Sequence, residues 1–101
     1  IIVYKSVNPK NNKDFRTGTV EYKVGETIIC PDWIDNNSIQ CGNGLHLCKT
    51  PLDSLLYNNG KLLKCEANIK DINIYASDIS KIRCKKVKVI CEVNKRGEEI
   101  K

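Results

Sequence analysis

The longest alternating pattern in the chain spans residues 81–93, KIRCKKVKVICEV, and it constrains the fold more than any other segment. Apolar residues that recur with a period of two are typical of a β-strand with one buried face. The predicted inward set is Val87, Val89, Cys91 and Val93, and the predicted outward set is Lys86, Lys88 and Glu92. The alternation slips near Cys84–Lys86, which indicates a bulge or a bend within a long strand.

Shorter segments show strand patterns of the same kind. They are IIVYKSV (1–7), TVEYKVG (19–25), ETIICPD (26–32), GLHLC (44–48) and KLLKCEANI (61–69), and DINIYASDIS (71–80) is ambiguous. In TVEYKVG the period places Val20, Tyr22 and Val24 on one face, and in KLLKCEANI it does so for Leu63, Cys65, Ala67 and Ile69. Six or seven strands are therefore expected.

One helix start stands among these strands. Thr50 is a suitable N-cap, Pro51 suits the first helical position, and Asp53 can complete the cap. The predicted helix covers about 51–58, with Leu52, Leu55 and Leu56 buried and Asn59-Gly60 as its stop. The expected fold class is α+β, with a curved or split, mostly antiparallel sheet and one short helix.

Length and composition predict one small folded domain over residues 1–101, with 94–101 as a flexible tail. The sequence is 41% hydrophobic and 29% charged, as in ordinary globular proteins. No apolar run approaches the roughly 18 residues that a membrane span needs. A cytoplasmic protein without membrane attachment is expected, in the host cytoplasm if a phage encodes it.

The net charge of +5 permits a nucleic-acid partner but does not favour one. Only three of the seventeen basic residues are Arg, and the chain has only six aromatic residues. Nucleic-acid-binding proteins usually use Arg forks and aromatic stacking surfaces. The basic run at 83–88 alternates with apolar residues, as the solvated face of a strand does.

Six cysteines would allow three disulfides. Four of them, however, lie in apolar strand-like segments, where a free cysteine is a small buried hydrophobic residue. These four are Cys30, Cys65, Cys84 and Cys91. Reduced thiols in a cytosolic protein are therefore the favoured interpretation.

The segment CGNGLHLCKTPLD, residues 41–53, holds two cysteines and the only histidine. Cys41, His46 and Cys48, with Cys30 upstream, could form a tetrahedral zinc site. No C-x2-C spacing occurs, and a histidine between leucines is more often a hydrogen-bonded structural residue. Direct thiol activation is disfavoured, because residues two apart on a strand lie about 6–7 Å apart. Zinc stays an alternative.

The same segment resembles a family of small, uncharacterised phage and bacterial proteins. The shared pattern is Cys, Gly-[Phe/Leu]-His, Cys, then Pro-Leu-Asp and a Tyr, here from Cys41 through Cys48 to Pro51-Leu52-Asp53 and Tyr57. An upstream Tyr-x-Val-Gly, at residues 22–25, and a downstream strand ending near Glu92 extend the likeness over about residues 20–93. This resemblance implies no known activity.

A more distant resemblance is to ADP-ribosyltransferases. Gly42-x-Gly44 on a strand, followed by a helix with Ser54 and Tyr57, is similar to the strand and helix that hold nicotinamide in that family. The resemblance implies that His46, Ser54, Tyr57 and Tyr4 bind NAD and that Glu92 is the catalytic glutamate. Lys5 stands where the family has an Arg or His against the NAD phosphates or ribose.

Three functions follow as expectations. The favoured one is a phage- or mobile-element-type accessory protein that binds a host or viral protein partner, without its own catalysis or cofactor. The alternatives are a minimal ADP-ribosyltransferase-like enzyme that binds NAD and a small zinc-binding module. Phe15 and Trp33 are the aromatic residues that the sequence offers for an interface, since both lie in loop segments.

Overall fold

The computed structural model describes residues 1–15, 17–30, 45–57, 60–73 and 81–100. Within these ranges seven strands are present: β1 (Ile2–Val7), β2 (Thr27–Ile29), β3 (Leu45–Cys48), β4 (Lys61–Glu66), β5 (Ile72–Asn73), β6 (Lys81–Cys84) and β7 (Lys86–Val93). The helix α1 spans Pro51–Tyr57, and a 3₁₀ helix spans Ile69–Asp71.

The strands form one sheet in the order β2-β7-β4-β1-β3-β6-β5, and every neighbouring pair is antiparallel. The prediction of a mostly antiparallel sheet with one short helix is confirmed. The α+β class fits only roughly, because α1 has seven residues and the fold is almost entirely sheet.

The sheet curls into a half-barrel. The curl arises because the continuous segment 81–93 supplies two strands, β6 and β7, at distant positions in the sheet. Only Lys85 separates β6 from β7, yet three strands lie between them in the sheet order. The Lys85 amide donates to the Asp71 carbonyl (2.7 Å), and the Lys85 carbonyl accepts from the Cys30 amide (2.8 Å). The slip predicted near Cys84–Lys86 is therefore a bend, and its backbone groups are hydrogen-bonded.

The face inside the curl, called the inner face below, carries the main hydrophobic core. Its buried members are Val3, Val7, Tyr22, Ile28, Cys30, Leu45, Leu47, Leu63, Cys65, Ala67, Ile82, Cys84, Val87 and Val89. All the strands from β1 to β7 except β5 contribute, and Ile72 of β5 packs against the cluster half-buried. The opposite side of the sheet is called the outer face.

A bulge in β7 changes which residues face the core. Cys65 pairs with Val89, whereas Lys64 pairs with Cys91, so Ile90 is an extra residue. Beyond it the faces exchange: Cys91 and Val93 lie on the outer face, and the alternation predicted through the whole segment is wrong there. Val93 is still buried, but Cys91 is only half-buried.

Two further predicted patterns differ from the structure, one in its length and one in its buried face. The strand in 61–69 stops at Glu66, because the side chain of Asn68 accepts from the Lys70 amide (3.2 Å) and caps the 3₁₀ helix. Ile69, predicted to be inward, is therefore 66% exposed. In α1, Leu52 is 61% exposed instead of buried, and Ser54 faces the sheet in its place.

The segment 19–25 is a loop and not the predicted strand. It makes a single antiparallel bridge, between Lys13 and Glu21. The carboxylate of Asp14 accepts from the amides of Thr17 (2.9 Å) and Val20 (3.0 Å), which folds the loop back on itself. Tyr22 reaches the core, but Val24 of the same predicted face is exposed.

The tail, predicted to be flexible, is hydrogen-bonded as far as residue 100. Val93 forms a bridge with Glu99, and the Ile100 amide donates to the Glu92 carbonyl (2.9 Å). The Asn94 side chain accepts from two amides in the turn between them. Within the described parts of the chain, no helix has the length and apolarity that crossing a bilayer requires.

Candidate functional site

The helix α1 packs on the outer face of β1 and β3, and this brings two of the predicted site residues together. The Ser54 hydroxyl donates to the Tyr4 carbonyl (3.1 Å), and Ser54 is 3% exposed. The Tyr4 side chain reaches the tail turn, since a Cβ added to Gly97 would lie 3.2 Å from the Tyr4 Oη. Ser54 and Tyr4 therefore hold the helix and the tail on the sheet.

His46 lies on this same outer face. Leu45 and Leu47 are in the core cluster, so the intervening His46 and the following Cys48 point to the other side, as the period of two predicts. His46 is half-buried, and its cross-strand partner Arg83 is buried. The side chain of Tyr57 lies outside the described residues.

Lys5 points to the inner face, opposite to its neighbour Tyr4. Its ammonium donates to the His46 carbonyl (2.7 Å) and lies 5.5 Å from the centroid of the Tyr22 ring. Among the described residues β1 and β3 pair at Tyr4 and Cys48, and the Lys5 side chain links the two strands next to that pair. Its contacts join parts of the core, and a cation over an aromatic ring stabilises the fold modestly.

Glu92 is on the inner face as well, because the bulge at Ile90 turns it there. It pairs across the strands with Leu63, and its carboxylate lies 3.6 Å from the Lys61 Nζ. The residues expected to form one NAD cleft thus lie on two sides of the sheet: Tyr4, His46 and Ser54 on the outer face, and Glu92 on the inner face.

The residues expected to bind zinc are similarly divided. Cys30 belongs to the inner core, whereas His46 and Cys48 lie on the outer face. Cys41 lies outside the described residues. Among those that the structure describes, no group of three or more His, Cys, Asp or Glu side chains could hold a metal ion.

The cysteines are free thiols where the structure describes them. Cys30, Cys48, Cys65 and Cys84 are buried, and Cys91 is half-buried. Burial raises the pKa of both Cys65 and Cys84 to about 12, because a thiolate is poorly solvated in the core. A nucleophilic cysteine requires the opposite shift, so these two are structural residues.

Among the carboxylates whose burial the structure describes, Asp14 is the buried one. Burial by itself would raise its pKa, but the amides of Thr17 and Val20, the Thr17 hydroxyl and the charge of Lys5 together lower it. The loop therefore stabilises the charged carboxylate of Asp14. Asp14 organises the loop that carries Tyr22 into the core.

One part of the outer face is bare. It consists of exposed residues of β2, β7 and β4, and it is called the outer wing below: Thr27, Ile29, Glu66, Lys86, Lys88 and Ile90. Thr27, Lys88 and Glu66 form one cross-strand row, and Ile29 pairs with Lys86 in the next. Ile29 is 62% exposed and Ile90 is 38% exposed.

A groove of about 560 Å³ runs along the outer wing to the 3₁₀ helix. Lys70, Lys86 and Lys88 line it together with Glu66 and Asp71. None of these three lysines forms an ion pair with a described residue. The groove therefore offers amino groups that are free to bind an acidic partner.

The sequence did not reveal the outer wing as a site. Its period correctly places Lys86 and Lys88 outward, but periodicity cannot show that β2 lies beside β7 or that Ile90 is a bulge residue. Of the two predicted interface aromatics, Phe15 is 40% exposed and its ring packs close to Gly60, and Trp33 lies outside the described residues.

Comparison with known proteins identifies the family of the chain. No curated protein and no solved structure matches it. A family model described as a domain of unknown function, DUF7666, matches residues 1–99. Since that match covers nearly the whole sequence, the chain belongs to the DUF7666 family.

Proposed function

We propose that this protein is a binding protein without its own catalysis, and that it binds a protein partner through the outer wing. The observation that carries the proposal is a bare sheet face on which exposed isoleucines lie next to lysines that pair with no described acidic residue. Antiparallel sheets often expose one face to water, and then polar residues dominate it. Here Ile29 and Ile90 interrupt the polar surface beside a groove.

The environment of the other candidate residues also supports binding over catalysis. The hydroxyl of Ser54 is occupied by a backbone carbonyl, and the carboxylate of Glu92 lies on the opposite side of the sheet, next to Lys61. Transfer chemistry on NAD needs such groups to converge on one ligand. Their described contacts stabilise the fold instead.

An accessory role for a phage or mobile element, in the cytoplasm of the host, is part of the proposal. It is supported by the resemblance of the Cys41–Cys48 and Pro-Leu-Asp segments to small phage and bacterial proteins. Free thiols at five described cysteines suit a reducing compartment. Neither feature identifies the partner.

Photo-crosslinking tests the proposal. A benzophenone amino acid replaces Ile90 in the outer wing and, as a matched control, Leu52, which is exposed on α1. In nuclease-treated lysate of the cells that carry the gene, we expect one protein to be captured from position 90 and not from position 52. Equal capture at both positions, or none at position 90, contradicts the proposal.

Ligand titration tests the NAD-binding and zinc-binding alternatives separately. Millimolar NAD should leave the thermal unfolding midpoint unchanged, and native mass spectrometry with and without a chelator should show the same mass. A midpoint shift with NAD that is lost in Glu92→Gln would favour the transferase alternative. A mass difference of one zinc ion would favour the metal alternative.

A further inference from the structure

The strand β2 forms one edge of the sheet. The residues directly before and after β2, Glu26 and Cys30, are hydrogen-bonded on the β7 side. The Val89 amide donates to the Glu26 carbonyl, and the Cys30 amide donates to the Lys85 carbonyl. In an antiparallel ladder the alternate residues direct their N–H and C=O groups away from that partner. Thr27 and Ile29 therefore present their backbone groups to the free side of β2.

No described residue pairs with that free side. The edge is three residues long, and its two outward side chains are a short polar one and a large apolar one, Thr27 and Ile29. An edge of this kind is a template for an added strand, which gains main-chain hydrogen bonds and side-chain contacts together.

The charges next to the edge select the type of strand that can be added. Lys88 pairs with Thr27, and Lys86 pairs with Ile29. An added strand would lie about 10 Å from β7, which is two strand spacings. Because threonine is short and the lysine stem is long and flexible, the Lys88 ammonium can reach across Thr27 to a side chain on the added strand.

We propose that an extended, acidic segment of the partner adds to β2 as a further strand. An acidic side chain lies beside Thr27, within reach of Lys88, and an apolar side chain two residues away packs on Ile29. This proposal rests on the proposed function, since it names how the partner of the outer wing binds.

The same lysines argue against a second copy of this chain as the occupant. Antiparallel pairing of two β2 strands would place the Lys86 and Lys88 side chains of both copies around one junction. Like charges at that distance repel, and the described part of the wing provides only Glu66 to offset them. An acidic partner strand would instead be attracted by both Lys86 and Lys88.

Two labelled peptides test the proposal by fluorescence anisotropy with the full chain. The probe is the capped peptide Ser-Thr-Glu-Val-Ile-Thr-Ser, and the control peptide has Lys in place of Glu. We expect the acidic peptide to bind about five- to tenfold more tightly at low salt, with the difference decreasing as salt is added. Equal affinity of the two peptides overturns the proposal.

Variants then locate the binding. Ile29→Pro removes an outward N–H that β7 does not use, so the ladder is retained, and binding of the acidic peptide should fall at least about tenfold. Leu52→Ala, at an exposed position of α1 away from the outer wing, should change it less than about twofold. Unfolding midpoints of the variants show that each is folded.

Charge reversal keeps the test decisive if Ile29→Pro proves unstable. Lys88→Glu should exchange the preference, so that the Lys peptide binds better than the Glu peptide. An unchanged preference overturns strand addition at β2. If the benzophenone at position 90 nevertheless captures a protein, only the binding mode is wrong, whereas absence of capture is a failure of the proposed function itself.

Discussion

The two parts of the outer face differ in what lies over them. Over β1 and β3 the face is covered by α1, and Ser6 and Cys48 are buried there. Leu62 of β4 and Val93 of β7, in the same cross-strand row as Ser6, are buried as well. Over β2 and β7 it carries exposed Ile29 and Ile90, together with lysines that form no ion pair with any described residue. The described part of the most distinctive motif, residues 45–53, lies in the covered part, and residues 86–90 of the segment with the plainest pattern lie in the bare part.

This difference shows that a distinctive local sequence can serve packing. Thr50 to Asp53 begins a helix, and the helix supplies Ser54 to the carbonyl of Tyr4. Short helices are stable only when packed, so this region needs well-placed contacts. An exposed sheet face needs no such packing contacts, and the sequence of the outer wing accordingly shows only the plain alternation of a strand.

The largest expected effect concerns thiol reactivity. At pH 8 a pKa of about 12 leaves roughly one thiolate in ten thousand, about a thousandfold fewer than for an ordinary thiol. Cys65 and Cys84 should therefore resist iodoacetamide in the native protein while Cys91 reacts. Peptide mapping of the alkylated sites checks this order, and rapid native alkylation of Cys65 would show that the inner face is open.

A matched pair of truncations compares the two parts of the outer face directly. Leu62→Ala removes a buried side chain and should lower the free energy of unfolding by about 2–5 kcal/mol. Ile90→Ala, on the bare part, should change it by less than about 0.5 kcal/mol. Urea unfolding measures both, and similar losses would mean that Ile90 is covered in solution.

Acid unfolding tests the loop that carries Tyr22 into the core. Because the folded pKa of Asp14 lies below its ordinary value of 3.8, its stabilising effect is present above about pH 4 and is lost as the pH falls through the lowered value. Asp14→Asn should cost about 1–2 kcal/mol at pH 7 and weaken this acid dependence. If the loss of stability at acid pH is the same in the variant as in the original protein, other carboxylates cause it.

The smallest expected effect is that of Ser54→Ala. Loss of one buried hydrogen bond to the Tyr4 carbonyl should cost about 1 kcal/mol. Capture from position 90 should persist in this variant, since its contacts lie in the covered part. Loss of capture with an intact fold would instead connect α1 to the binding surface.

The sequence predicts the elements whose patterns are local. The period of two identifies β1, β3, β4 and β7, and the N-cap signal identifies α1, which begins at Pro51. The period fails where a tertiary contact or a cap overrides it. Asn68 ends β4 early, and the carboxylate of Asp14 holds a loop where residues 19–25 predict a strand.

The candidate site could not be predicted in the same way. Strand order decides which side chains become neighbours, and strand order depends on contacts between residues far apart in the chain. Thr27 and Lys88 are one example, and the exchange of faces after Ile90 is another. The alternation along a single strand reveals neither the pairing of Thr27 with Lys88 nor the exchange of faces.

The bend at Lys85 has a consequence for cooperativity. Its amide is bonded to the 3₁₀ helix and its carbonyl to the end of β2, so one residue ties together strands that lie apart in the sheet. Opening either side breaks a hydrogen bond to the same residue, so we expect the two sides to open together. We therefore expect the amide hydrogens of Lys85 and Cys30 to exchange with solvent at similar rates, because both of their hydrogen bonds involve Lys85.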